Sequence, residues 1–531
     1  MYHVETIDIT EKHPLYAYAD TYTRYANNMY NVANYYIRNL MTGLKKETPT
    51  PNEASVIRVV QGSIPKINAA LLQKHKTKAA NIKADMPLTD KEKAARLKKA
   101  KCAVFEMPTA DKWFAGYNLL DAVFKYNNDP DYRAGHSHVM QNAVSDCCEA
   151  WSGYFESLKG YSQTSGHTGK PKIPGYKKSG GHRTAVFSNI ACRIRDGWLV
   201  FPRFKTKGTA SASEKGSSGA KKGSVPKIKV RGFKGSLIEV RIVPYCGRYQ
   251  VQVVTDDGID IEDLLPKAED IEGAGVMCLD PGLDNFASIA DNKGNTPFVI
   301  KGGAIKARNQ WYNKETARLR SELMKGHDPK TYHPPVTKQM HRLSRKRDAF
   351  LRDTFYKMSH FICREAAKRG ISFIIVGHNE GQKQRINMGH TNNQSFAGIP
   401  YTRFNAILET VAVSYGIRVI LQEESYTSKA SFGDKDSIPV YGEDGADKAA
   451  FSGRRIKRGL YRDSTGRVMN ADINGACNIG RKYSACVFGD VKDTDYLYRT
   501  VIPVTYSRLN RTDVFPATRD SGCSVHPVSD L

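Results

Sequence analysis

Three acidic residues in the C-terminal half each stand where an apolar run stops or a helix begins. Asp280 ends the run VMCLD, Glu380 follows FIIVGHN, and Asp472 opens NADINGACNIG. Short apolar runs of this kind read as buried strands, and a buried strand delivers the residue at its end to the edge of a sheet. At such an edge, acids far apart in sequence can meet. Three convergent carboxylates without a cysteine or histidine ligand set suit hard, oxygen-loving Mg²⁺ rather than zinc. Two such ions can clamp the attacking and leaving oxygens of a phosphodiester.

The elements around these acids alternate. From about Gly273 the order is VMCLD, FASIA, helices through about residues 305–325 and 340–369, then ISFIIVG. The helix YTRFNAILETVAVSYG, the strand RVILQ, a turn-rich insertion and a helix from Asp472 follow. This order predicts a mixed sheet with helices packed over it, as in ribonuclease H-like domains. Taken singly, Asp280 reads as a turn cap, Glu380 as a loop residue and Asp472 as a first-turn acid favoured by the helix dipole. Their conjunction with this strand order outweighs those readings. Glu424, beside RVILQ, reads as a packing or surface residue, with a place behind the ligands as the sharper alternative.

Charge narrows the partner. The 531 residues carry 80 Lys+Arg against 54 Asp+Glu, a formal net charge of +26. Such an excess opposes compaction and is the usual footprint of nucleic-acid phosphate, each contact releasing a counterion. Basic runs interleave with Tyr, Trp and Phe, which suits nucleic acid better than mere solubility. No apolar stretch approaches the ~20 residues of a spanning helix. The start MYHVETIDITEKHP lacks a secretory pattern, and none of the ten cysteines forms a C-x-x-C. No membrane association is expected. The expected location is cytoplasmic, in a prokaryotic cell and associated with the nucleoid.

The N-terminal half differs in character. Residues 1–16 alternate like a strand. Residues 17–165 are helical: Tyr22, Tyr25, Met29, Val32, Tyr36 and Leu40 form one apolar face, and Thr89 with Glu92 makes a capping box. HTGKPKIPGYKKSGG follows as an extended basic connector. Across 166–264, short alternating runs predict a small β-barrel, interrupted by the low-complexity loop 205–224. A nuclease domain over 265–485, with a basic insertion at 427–470, and a tail over 486–531 complete the expected organisation. The fold class is multidomain α+β: a helical recognition lobe, a small barrel and a ribonuclease H-like domain.

The motifs resemble those of the transposon-encoded TnpB proteins and the compact type V CRISPR effectors, which share a RuvC nuclease domain. LDPGLDNFA, VGHNEGQKQ with NNQSFAGIPY, and NADINGACNI resemble its first, second and third motifs. QEESYTSKASF, YNVANYYIRNLM and GKPKIPGYKK extend the resemblance over most of residues 1–485. The resemblance implies that Asp280, Glu380 and Asp472 hold two Mg²⁺ ions, which Mn²⁺ can replace, and are the catalytic residues. It further implies a guide RNA, which selects a double-stranded DNA target beside a short flanking motif. The helical lobe and barrel would grip the guide, with Arg38, Lys170, Lys172, Lys177 and Lys178 as candidate backbone contacts. Relatives act as monomers or dimers, so a homodimer stays open.

One departure stands out. Most of this family carries a four-cysteine zinc ribbon before the third motif, whereas Thr427–Ala471 contains no cysteine, so zinc is not expected. FSGRRIKRGLYRDSTGRVM reads instead as a basic hairpin turning at Ser464-Thr465-Gly466. Its Arg454, Arg455, Lys457 and Arg458 are either substrate contacts or a solvated face. Three rivals remain at this level: a CRISPR effector rather than a transposon nuclease, a guided DNA-binding repressor that cuts weakly, and a transposase working without RNA.

Overall fold

The computed structural model describes residues 1–84, 89, 91–93, 96, 102, 104–163, 169–203, 226–232, 235–378, 398–440, 443, 446–489, 491 and 493–510. The chain divides into two compact units, Met1–Gly258 and Ile259–Leu531.

In the first unit, alternation makes β1 (Tyr2–Ile9) a strand with its partner far along the chain. The helices that follow are α1 (Tyr16–Gly43), α2 (Pro51–Ala84), α3 (Tyr117–Tyr126), α4 (Pro130–Ala134) and α5 (Ser137–Gln163). The strands are β2 (Ala185–Ser188), β3 (Arg193–Arg195), β4 (Trp198–Val200), β5 (Lys227–Lys229), β6 (Ser236–Tyr245) and β7 (Arg248–Asp256). They form an antiparallel sheet β1-β7-β6-β2 and a separate sheet β3-β4-β5, rather than one continuous barrel among the described residues. With only three residues each, β3 to β5 pair among themselves, and the loop 205–224 that joins β4 to β5 lies outside the described residues. The apolar face of α1 buries Tyr22, Met29 and Leu40. Trp151 is fully buried and donates its indole N–H to Asn34 Oδ1 at 2.9 Å, which satisfies both polar groups in the core.

The other face of α1 holds the basic connector by its backbone. Asn27 donates to the Lys178 carbonyl at 3.0 Å, and Asn31 brackets Lys177 through both its amide groups. Asn34 donates to the Pro174 carbonyl at 3.2 Å, where Arg38 Nη2 also donates at 2.6 Å. Residues spaced by three and four share one helix face, so these four side chains line up along an extended strand. A connector with two prolines and no sheet partner has its carbonyls satisfied in this way.

The second unit is a six-stranded mixed sheet between helices. Its elements begin with β8 (Val276–Pro281), β9 (Asn285–Asp291), β10 (Phe298–Lys301), α6 (Gly303–Met324) and α7 (Lys338–Lys368). Then come β11 (Phe373–His378), α8 (Tyr401–Val413), β12 (Arg418–Glu423), β13 (Arg454–Lys457), β14 (Leu460–Arg462) and β15 (Val468–Asn470). The last are α9 (Ala471–Tyr483), α10 (Cys486–Gly489) and β16 (Ile502–Val504). The strand order is β12-β11-β8-β9-β10-β16. β8, β11 and β12 run parallel, while β9 is antiparallel to β8 and β10.

Burial on both faces explains the near-continuous apolar runs. Met277, Leu279, Ile374 and Val376 pack with Phe355 and Phe361 of α7 and Phe404 of α8. Val276, Cys278, Phe373 and Ile375 pack on the other face with Ile473, Cys477 and Ile479 of α9. The tail, to which the sequence attached no structure, supplies β16, paired parallel to β10. A three-residue run containing Pro503 shows no periodicity, and proline is tolerated there because the strand lies at the edge.

Candidate active site and nucleic-acid interface

Asp280 stands at the end of β8. Successive strand residues alternate between faces, and Val276 and Cys278 face α9, so Asp280 does too. The helix yields space for it. A Cβ on Gly475 would lie 2.5 Å from Asp280 Oδ2, closer than any real side chain tolerates. Asp472 lies in the first turn of the same helix. Asn470 caps that helix, its Oδ1 accepting from the backbone N–H groups of Asp472 and Ile473 at 2.9 and 3.2 Å. Asp472 Oδ2 accepts from Asn285 at 2.8 Å and its Oδ1 from Arg455 at 3.2 Å.

Burial, and then the carboxylates of Glu424 and Asp472, push the Asp280 carboxyl well above the usual carboxylate range, with Arg455 opposing them. Like charges held together in a shielded place have this effect. Asp280, Asp472 and Glu424 thus lie within electrostatic reach of one another. Glu424 directly follows β12, and its Oε2 is shielded from solvent. The packing or surface role expected of it is thus incomplete, because it faces Asp280. The signal was present in RVILQEE: Ile420 packs on the α9 face, and the strand period carries Gln422 and Glu424 the same way. Glu380 lies outside the described residues. As the side chains stand, no group of three His, Cys, Asp or Glu among the described residues is arranged to hold a metal ion.

The rest of NADINGACNIG fastens the loop that precedes it. Asn474 donates to the Ala430 carbonyl at 2.8 Å and accepts from the Phe432 N–H. Asn478 donates to the Thr427 and Ala430 carbonyls at 2.9 and 2.7 Å. The insertion is a three-stranded antiparallel sheet β13-β14-β15. Its turn has Gly466 at φ 90° and is closed by Asp463, which accepts from the Arg467 N–H at 2.8 Å. Asp436 accepts from the N–H groups of Ser431 and Ser452 at 2.7 and 3.0 Å, a carboxylate staple between distant loops.

The basic candidates fall into two groups. Arg38 is spent inside the protein, on the Pro174 carbonyl and the Tyr176 ring 4.8 Å away. Lys170, Lys172, Lys177 and Lys178 are exposed, with Lys177 Nζ 4.9 Å from the Tyr30 ring centroid. In the insertion Arg454, Arg455, Lys457 and Arg458 are all exposed. Arg455 pairs with Asp472, and Arg458 with Asp284 in the LDPGLDN loop. Lys306 pairs with Asp284 as well and, with Arg458, holds that carboxyl below its usual range despite partial burial. Positive charge thus rims the acidic site.

Two family models match the chain. OrfB_IS605, described as a probable transposase, matches residues 249–382, which include β8 and Asp280. The TNB domain of Cas12f1-like proteins matches residues 401–479, from α8 to Asp472. The two matches, within residues 249–479, support the TnpB and compact type V effector family. That family is a nuclease class. Among solved structures, a Cas12f1–sgRNA–target DNA complex is similar over 90% of this chain and 98% of its own, at 13% identity and a TM-score of 0.27. A CRISPR–Cas12f ternary complex is similar over 80% and 81%, at 13% identity and a TM-score of 0.28. An AacC2c1–sgRNA binary complex is similar over 82% and 73%, at 10% identity and a TM-score of 0.25. No curated protein matches. No helix among the described residues is long and apolar enough to cross a membrane.

Proposed function

We propose that this family member is an RNA-guided DNA endonuclease that cuts at the Asp280–Asp472 site in a RuvC-like domain. The observation that carries the proposal is the close placement of Asp280, at the end of an inner strand, and Asp472, at a helix start, inside a rim of Lys and Arg side chains. The first unit, with its exposed lysines along a fixed connector, would hold the guide and the guide–target duplex. Base pairing would then select the sequence while the protein reads backbone shape.

The donor set fits a hard divalent ion: every candidate ligand is a carboxylate oxygen, and a cation relieves their mutual repulsion. Asp280 and Asp472 would hold Mg²⁺, which when bound activates water and offsets charge on the leaving oxygen. Arg455 now balances the charge of Asp472. When a scissile phosphate enters, Arg455 and Arg458 can turn to it, since an arginine fork matches phosphate oxygens. Asn285 fixes the orientation of Asp472, and the Asn470 cap fixes its backbone. Tyr401, enclosed beside the site, donates to the Gly282 carbonyl at 2.7 Å and so holds the loop leaving β8.

The test is to purify the protein from cells carrying its native locus, sequence the RNA that accompanies it, and offer matched DNA with Mg²⁺. A single RNA with constant and variable parts, together with cleavage that Asp280→Ala and Asp472→Ala abolish while RNA binding persists, is expected. No enriched RNA, or full cleavage by either variant, would sink the proposal. Cleavage without RNA would favour the transposase reading.

A further inference from the structure

We infer that Glu424 supplies the third carboxylate of the site, and that position 377 is glycine to leave room for it. This rests on the reading of Asp280 and Asp472 as a metal-dependent nuclease centre.

The sheet places the residues side by side. β11 lies between β8 and β12, with Val376 opposite Leu279 and Gly377 opposite Gln422. The next position along β11 from Val376 therefore adjoins Asp280. Phe373 and Ile375 face α9, so the Cβ direction at Gly377 is the face from which Asp280 projects. A Cβ built there would lie 2.6 Å from Ile479 Cδ1 and 3.3 Å from Pro281 Cδ, and nearer still to Glu424 Oε2. The volume a side chain would take at the end of the central strand is thus filled by the Glu424 carboxylate, which reaches in from the neighbouring strand. Its length suits the extra distance.

The adjacent acid is already committed elsewhere. Glu423 pairs with Lys482 at 2.5 Å and accepts from the Ser425 N–H at 2.6 Å. Two neighbouring glutamates therefore divide their work, one fastening β12 to α9 and the other entering the site. The backbone beyond is fixed as well. Tyr426 turns at φ 63°, Thr427 Oγ1 donates to the Glu424 carbonyl at 2.8 Å, and Asn478 holds the Thr427 carbonyl. A ligand carried on rigid, hydrogen-bonded backbone is positioned as a metal site requires.

The test measures Mn²⁺ binding to the full-length, RNA-free protein by electron paramagnetic resonance, alongside melting and guide-RNA binding. Glu424→Gln and Asp280→Asn should each weaken Mn²⁺ binding at least tenfold with RNA binding unchanged. Gly377→Ala keeps every carboxylate but displaces that of Glu424, and should weaken Mn²⁺ several-fold. Wild-type Mn²⁺ affinity in Glu424→Gln, with loss in Asp280→Asn, would overturn the assignment and leave the centre standing. Wild-type affinity in Asp280→Asn would remove the centre itself, and the assignment with it.

Discussion

Arg455 donates to Asp472 Oδ1 across 3.2 Å, so a residue of the insertion touches an acid of the candidate centre. Both side chains are partly exposed, at 44% and 34%, which limits the pair to about 0.2–1 kcal/mol. A divalent ion binding at Asp472 competes with this guanidinium. Arg455→Gln should therefore lower the Mg²⁺ concentration for half-maximal cleavage by up to about fivefold. It should also flatten the salt dependence of DNA binding, because one phosphate partner is gone. A titration of cleavage against Mg²⁺ at fixed ionic strength reads the first effect. An unchanged midpoint would mean that the pair does not oppose the ion.

Gly475 separates catalysis from folding. It lies inside α9, where alanine is favoured over glycine by ~1 kcal/mol, so the backbone has no reason to resist the change. The added methyl would nevertheless meet Asp280 Oδ2 at 2.5 Å. Gly475→Ala should thus leave the melting temperature and guide-RNA affinity close to wild type while cutting activity at least tenfold. Cleavage at the wild-type rate would show that Asp280 has freedom to move.

Much of the second unit was legible because its strands are buried on both faces and its helices are long. The expected helices over 305–325 and 340–369 are found at Gly303–Met324 and Lys338–Lys368. VMCLD and ISFIIVG each end within one residue of the end of a buried strand. What escaped is short or depends on remote partners: β16 is three residues with a proline, and the runs CRIRDGWLVFP and PKIKVRG, expected as strands of one barrel, pair instead in a sheet of their own. Glu424 escaped for a different reason. A glutamate next to another glutamate at a strand end looks like surface charge. The strand period from Ile420 and the bare position of Gly377 on the neighbouring strand together show which of the two turns inward. Asp436 and Asp463 were invisible as staples, because the hydrogen bonds they make join residues whose approach the sequence does not state.

Arg38 and the connector lysines should part company under salt. Arg38 spends its donors on the Pro174 carbonyl, so Arg38→Ala should cost the first unit about 1–3 kcal/mol and loosen the connector. Its loss removes no phosphate contact, and the slope of affinity against salt should stay as in wild type. Lys172→Ala and Lys178→Ala touch exposed side chains and should leave stability unchanged. Each should reduce the salt slope by about one if it meets a phosphate. Guide-RNA binding measured at several salt concentrations distinguishes the two behaviours.

Asp280 is held in a site that works against the fold. Its carboxyl is raised well above the usual value of 3.8, first by burial and then by Glu424 and Asp472. For an acid raised in the folded state, the stabilising contribution is full below the unfolded value and is lost as pH rises through the folded one. As pH rises through the folded value, the metal-free protein takes on an unfavourable charge in a partly buried place. Asp280→Asn removes that charge with little change of shape. In EDTA it should melt above wild type, gaining about 1.4 kcal/mol for each unit by which the carboxyl is raised. For a unit of this size that is roughly 2–4 °C per kcal/mol. The gap should be small near pH 4, widen as pH increases, and shrink again when Mg²⁺ stabilises the wild type alone. A gap that does not change with pH would mean that the charge of Asp280 is balanced within the protein, and that the site does not depend on a cation.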